Sequence, residues 1–191
     1  MTYLRLAIAA VWLLALAATA PPLAAQEMTL SEESELWIDG TSNRDDWTVY
    51  AQEMSAVAGE MDGTVPGSLR LTVTADMIKS QKSTIMDRLM YQTLKVDEHP
   101  VITYEMIEAV PSEDDETLLH TTGQLTLAGV TNEVEMDVQA ERLDDGSIRY
   151  TGNSPLKLTN YGMRPPTAMF GALRTGDDVT IHFDVVFASD S

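Results

Sequence analysis

Gly123-Gln-Leu-Thr-Leu-Ala-Gly-Val-Thr-Asn-Glu-Val-Glu-Met-Asp-Val138 decides the fold class. In its first half Leu125 and Leu127 alternate with Gln124 and Thr126, and in its second Val134, Met136 and Val138 alternate with Glu133, Glu135 and Asp137. A period of two sends successive side chains to opposite faces, the pattern of a half-buried strand. The Ala128-Gly129 pair between the halves reads as a tight connection, so the stretch is a hairpin with one apolar and one acidic face.

The same alternation recurs on both sides. Leu69, Leu71 and Val73 face away from Arg70, Thr72 and Thr74; Ile102, Tyr104 and Met106 face away from Thr103 and Glu105. Leu119 and Gly123 extend the row that holds Leu125, and near the C-terminus Val179, Ile181, Phe183, Val185 and Phe187 oppose Thr180, His182 and Asp184. Turn signals separate the rows: Asp39-Gly40, Asp62-Gly63, Pro66-Gly67, the acidic run Ser112 to Glu116, Asp144-Asp-Gly146 and Thr175-Gly-Asp177. Strands are therefore expected at about 34–40, 46–61, 67–75, 100–110, 117–128, 131–143, 147–158 and 178–188. Eight antiparallel strands with one apolar face each make an all-β closed barrel or a sandwich.

Two segments break the rhythm. From Ile78 to Leu94 the apolar residues Ile85, Met86, Leu89, Met90 and Leu94 fall at helical spacing, with Lys82, Asp87, Arg88 and Gln92 on the other face, which predicts one amphipathic helix. His99-Pro100 returns the chain to extended conformation. From Thr159 to Leu173 the chain carries Gly162, Pro165-Pro166 and the large apolar residues Met163, Met169, Phe170 and Leu173. A loop of that length and composition is expected to cap a core or line the mouth of a cavity.

The N-terminus has the grammar of a signal peptide: Arg5 as the positive n-region, an apolar run from Leu6 to Ala20, and small residues to Ala25. Cleavage near Ala25 leaves one domain, residues 26–191, periplasmic or secreted and without a stable membrane anchor; an uncleaved anchor helix is the competing reading. Zero cysteines exclude a disulfide framework, a thiol nucleophile and Cys-ligated metal. With 12 Lys+Arg against 30 Asp+Glu and a net charge of -18, nucleic acid is a poor partner. His99, His120 and His182 show no metal-ligand spacing and no Gly-x-Ser-x-Gly phrase occurs, so neither a metal, a cofactor nor a catalytic residue is expected.

Several phrases, in order, resemble the YceI-like family of exported lipid-binding proteins. They are Trp37-Ile-Asp-Gly-Thr-Ser-Asn43 running to Asp46-Trp47, Met90-Tyr-Gln-Thr-Leu-Lys95 with His99-Pro-Val-Ile-Thr-Tyr104, Gly123 to Thr131, and Leu158-Thr-Asn-Tyr-Gly-Met163 leading into Pro165 to Gly171. The resemblance implies an eight-stranded, lipocalin-like antiparallel barrel whose interior holds a polyisoprenoid chain, such as a quinone tail or polyprenyl lipid, in a binding or carrier protein and not an enzyme. One departure is Asp45, where relatives often carry a His before the Asp-Trp pair.

On that reading the inward rows, the helix and the long loop supply the ligand contacts: Leu71, Met86, Met90, Tyr104, Met106, Leu125, Met136, Met163, Met169, Phe170 and Phe183. Methionine suits a flexible apolar guest, although it also fills gaps in ordinary cores. Lys79, Lys82, Arg88 and Lys95 gather cations in an acidic chain, and Lys82 and Arg88 are the candidates for a polar headgroup, against the plainer reading of a solvated helix face. Two other readings use the same barrel: an enzyme of lipid or quinone metabolism, which needs a buried carboxylate or His, and a stress-related interaction protein with a filled core.

Overall fold

The computed structural model describes residues 27–189 except Lys82, so the signal read over residues 1–25 and the headgroup candidate Lys82 lie outside the described residues. In chain order the elements are β1 (Met28–Leu30), β2 (Glu35–Ser42), β3 (Trp47–Ala51), β4 (Met54–Gly59), β5 (Ser68–Thr74), β6 (Ile78–Ser80), α1 (Thr84–Leu94), β7 (Val101–Pro111), β8 (Leu118–Leu127), β9 (Val130–Arg142), β10 (Ile148–Lys157), β11 (Thr167–Ala168) and β12 (Leu173–Ser189).

The ladders are antiparallel and run β4-β5-β7-β8-β9-β10-β12. The long strand β12 then bonds β2 along Thr175 to Asp184 and β1 along Phe187 to Ser189, and β1 bonds β4, which closes the ring. β1 with β2, β3 with β4, and β5 with β6 each act as one bent strand, so the ring counts eight. Closure leaves no open edge on the ring, and in a chain without disulfides it is the main restraint on the sheet. The alternation seen in the sequence becomes inside and outside: along β8, Leu119, Thr121, Gly123, Leu125 and Leu127 are buried while His120 and Gln124 are exposed.

The structure corrects three boundaries. The strand expected over 46–61 bends at Gln52 and Glu53, where the Gln52 amide donates to Met77 O (2.9 Å) and Glu53 O accepts from the Thr74 amide (3.1 Å). Before the bend β3 pairs with β2 and β6, and after it β4 pairs with β1 and β5. The helix expected from Ile78 starts only at Thr84: Ile78 to Ser80 extend the ladder beside Val49 to Ala51, and burying Ile78 in the core outweighs its helical spacing. Ser83 caps α1 by accepting from the Ile85 amide (3.3 Å), and Lys95 ends it in left-handed conformation, φ 54°. The third correction is β1, a short strand that the alternation did not announce.

One end of the barrel is plugged. Phe187 and Ile148 are completely buried, with Ala58, Leu119, Val138 and Tyr150 around them. The Tyr150 ring meets Phe187 edge to face at 5.8 Å between centroids, and its hydroxyl donates to Thr64 O (2.8 Å) in the β4–β5 connection folded across that end. The Arg142 guanidinium donates to Gly63 O in the same connection. At the other end, α1 lies across the opening, with Met90 and Leu94 packed against Trp47, Val49 and Val73.

Because the plug is close-packed and the opposite end is not, truncation should cost unequally. Phe187→Ala is expected to lose about 3–5 kcal/mol, and Met90→Ala, at the wall of an existing space, clearly less. Urea denaturation of the two variants beside the wild type checks the order.

Candidate functional site

Between plug and helix lies a lumen of about 850 Å3. Three close pairings keep it open. A Cβ at Gly40 would fall in the Trp47 ring, one at Gly123 in the Tyr104 ring, and one at Gly152 against the Phe183 ring and Asp137 O. Each glycine sits on or beside the rung opposite its ring: Gly40 pairs Trp47, Gly152 pairs Phe183, and Gly123 pairs Met106, one inward position from Tyr104. With no side chain beneath it, each ring lies flat along the wall instead of standing across the interior.

Of the expected ligand contacts, Leu71, Met86, Met90, Tyr104, Met106, Leu125, Met136, Met163 and Phe183 line the lumen. Met169 and Phe170 do not: Met169 is 70% exposed and Phe170 fully so, at the tip of a hairpin that leaves the opening. Arg88 is exposed on α1 and also lies off the lumen wall. Ile85, expected on the apolar face of the helix, points to solvent, and Met86, Leu89, Met90, Thr93 and Leu94 form the face turned inward.

The polar groups of the mouth are Ser42, Arg44, Asp45 and Asp46 from the end of β2 and the turn after it, and Thr167 and Thr175 from the hairpin of β11 and β12; the sequence marks Asp45 as a departure and places Ser42 and Asp46 within a matched phrase, without assigning them to a mouth. Asn43 fixes these two segments together. Its amide donates to Arg174 O (3.0 Å), its Nδ2 to Ala172 O (2.9 Å), and its Oδ1 accepts from the Arg174 amide (2.8 Å). Nearby, Asp177 accepts from the amide (2.9 Å) and hydroxyl (2.7 Å) of Thr159, and those bonds hold its carboxyl below the usual carboxylate range. The presence of Asn43 and Asp46 in the matched phrases was the available signal, but only the fold shows which loop they meet.

Deeper in, the wall is aliphatic and aromatic, with the hydroxyls of Thr93, Tyr104, Thr121, Tyr150 and Ser154 as its polar points; Thr93 donates to Leu89 O (2.9 Å) and Tyr150 to Thr64 O. Thr121 donates to Met136 O (3.0 Å), so its proton is already engaged. Burial pushes the Tyr104 phenol above its ordinary 10.0, an effect partly offset by hydrogen bonding with Thr121. Burial raises Tyr150 in the same direction. Among the described residues no three His, Asp or Glu side chains gather as a metal site. Such a wall can desolvate an uncharged apolar chain, and the carboxylates of the lining, Asp45 and Asp46, lie at its mouth.

A family model for the YceI-like domain matches residues 32–187, which takes in every ring strand except β1 and the last residues of β12. The chain belongs to the YceI-like family. Solved structures agree on the YceI-like fold. BcnA of Burkholderia cenocepacia superposes with a TM-score of 0.68 at 16% identity, covering 80% of this chain and 95% of that one. A polyisoprenoid binding domain from Saccharophagus degradans, implicated in plant cell wall breakdown, gives 0.68 at 14% identity, covering 87% and 99%. The Campylobacter jejuni YceI protein gives 0.60 at 20%, covering 75% and 84%. Among curated proteins none matches.

Buried phenols give this YceI-like barrel an alkaline limit. An unfolded tyrosine ionises near 10.0, whereas Tyr104 and Tyr150 stay protonated above it in the folded chain. Their contribution is therefore complete below pH 10 and is lost as pH climbs above it. Urea midpoints measured from pH 8 to 11 should fall at the alkaline end, and Tyr104→Phe should flatten part of the fall.

Proposed function

We propose that this protein is an exported binding protein that takes a polyisoprenoid, or a similar apolar chain, lengthwise into its barrel and performs no reaction on it. The observation that carries the reading is the blind, apolar lumen. Its volume of about 850 Å3 lies within the roughly 300–1,000 Å3 of small-molecule sites. A dry cavity of that size would cost on the order of 20 kcal/mol at ~24 cal/mol per Å3, above the ~5–15 kcal/mol total stability of a domain. The interior therefore takes in either water or a guest, and a hydrocarbon wall with a few hydroxyls, those of Thr93, Thr121 and Tyr150 already donating to backbone carbonyls, gives water few of the partners it needs.

An apolar chain meets the same wall on favourable terms, at roughly 25 cal/mol per Å2 of surface removed from water. The rings laid flat by Gly40, Gly123 and Gly152 favour a slender guest, and the methionines of α1 and β9 adapt to its bends. The similarity to a polyisoprenoid binding domain supports this ligand class. Export rests on the segment Met1 to Ala25. The ligand would meet a mainly apolar wall inside, so selection among guests would act on tail width, while the headgroup stays with Arg44, Asp45 and Asp46 at the mouth.

The test is to purify the protein under mild conditions, extract it with organic solvent and examine the extract by mass spectrometry. A stoichiometric species with isoprenoid repeats is expected; an empty extract that stays empty after incubation with quinones and polyprenyl lipids would sink the reading. Met136→Trp, which fills the lumen from its wall, should weaken binding of a short-tailed quinone about tenfold, the loss of roughly 60 Å2 of apolar contact. Titration followed by Trp47 fluorescence in the wild type, and by calorimetry in the variant, measures both.

A further inference from the structure

The segment from Met163 to Thr175 folds into a short hairpin: Thr167 and Ala168 pair with Arg174 and Leu173, and Met169 to Ala172 make its tip. Pro166, Thr167, Ala168 and Leu173 line the mouth, so the hairpin forms part of its rim. At the tip, Met169 (φ 52°), Phe170 (φ 57°) and Gly171 (φ 87°) all occupy the left-handed region. That conformation suits Gly171 and strains the other two. A turn of glycines would close the hairpin without the strain. This chain instead uses it to hold two large apolar side chains in solvent, one 70% exposed and the other completely. Ile85, at the start of α1 on the same rim, is 68% exposed as well.

The charge around this tip differs from the rest of the surface. Across the outer wall Arg70 pairs Glu105, Arg149 pairs Asp184 and Lys157 pairs Asp178. Arg88 on α1, and Arg164 and Arg174 at the two bases of the hairpin, are exposed and make no ion pair among the described residues. The acids of this end are Asp45 and Asp46 at the mouth, the former paired with Arg44 (3.5 Å), Asp87, which accepts from the Ser80 amide (2.7 Å), Asp177, which accepts from Thr159, and Asp76, Asp97 and Glu98 beside α1; Lys79 and Lys95 stand against them together with the three arginines. The rim is thus close to neutral on a molecule of net charge -18. Only this end can approach lipid phosphates without strong repulsion, and the acidic remainder orients the molecule with the mouth forward.

We infer that the hairpin tip is a membrane-docking wedge: Met169 and Phe170 enter the headgroup region of a phospholipid bilayer, Arg88, Arg164 and Arg174 meet its phosphates, and the mouth is brought against the source of its cargo. The inference rests on the apolar-chain reading for its purpose, but docking itself needs no cargo. Two side chains and three arginines make a weak, reversible contact, short of a stable anchor.

The experiment measures flotation of the mature protein with phosphatidylethanolamine–phosphatidylglycerol vesicles, beside binding of a short-tailed quinone in vesicle-free solution. Met169→Ser/Phe170→Ser should lower vesicle association about tenfold or more, from the lost burial of Phe alone, and leave quinone affinity unchanged. Val110→Ser, which removes an exposed apolar side chain from β7 near the plugged end, should change neither. Equal vesicle association for wild type and double variant overturns the wedge, as does a wild type that ignores vesicles and dimerises through the tip. Loss of vesicle association in the double variant, with no quinone bound by either protein, upholds the wedge and removes the cargo reading instead.

Discussion

The ring of strands around the lumen is closed by the double hydrogen bonding of β12. Its residues Asp178 to Phe187 form ten consecutive rungs with β10 on one side, while the other side bonds first β2 and then β1. Since β1 passes the ladder on to β4, one strand converts an open sheet into a ring. A shift of one residue in β12 would turn Val179, Ile181, Phe183, Val185 and Phe187 outward together, emptying the plug and the wall in one step. The register is held where it matters by Phe187, which is completely buried, and is loosened only at the mouth, where the pairing with β2 shifts between Thr175 and Val179.

Much of this was legible in the chain. Period-two alternation in β5, β7, β8, β9 and β12 identified the inner rows because each strand is wet on one side, and a face that changes solvent at every residue writes itself into the sequence. The bend at Gln52 and Glu53 shows only as a change of phase, the inward positions passing from Trp47, Val49 and Ala51 to Met54, Ala56 and Ala58, while β3 pairs with β6 and β4 with β5. Ile78 misled for a related reason. Its spacing to Leu89 fits a helix, but burial in the cluster that holds Val49 favours the ladder, and local period cannot weigh a contact made far along the chain.

The site was legible in part. Nine of the named ligand contacts line the lumen because they lie on inward rows, on the inner face of α1 or, as Met163 does, just after Leu158 to Tyr161. Met169 and Phe170 share the composition of lining residues but not their position: an apolar pair at a hairpin tip is read correctly only when the backbone is known to be left-handed there. Asp39-Gly40, read as a turn signal, lies within β2, and the three glycines gave no signal of width alone. Gly40, Gly123 and Gly152 acquire meaning only beside Trp47, Tyr104 and Phe183, so the width of the interior is encoded in cross-strand combinations and not in any one row.

The plug of Phe187, Ile148 and Tyr150 has a further consequence. A tube stopped at one end has a single doorway, so a threaded molecule must leave in the reverse order of its arrival, and any length beyond the depth of the tube remains outside. On the proposed reading, the fold would act as a gauge of chain ends. Two cargoes with the same tail and different heads would look alike to the barrel and different to whatever meets the protruding portion, which separates the task of shielding a tail from the task of recognising the molecule that carries it.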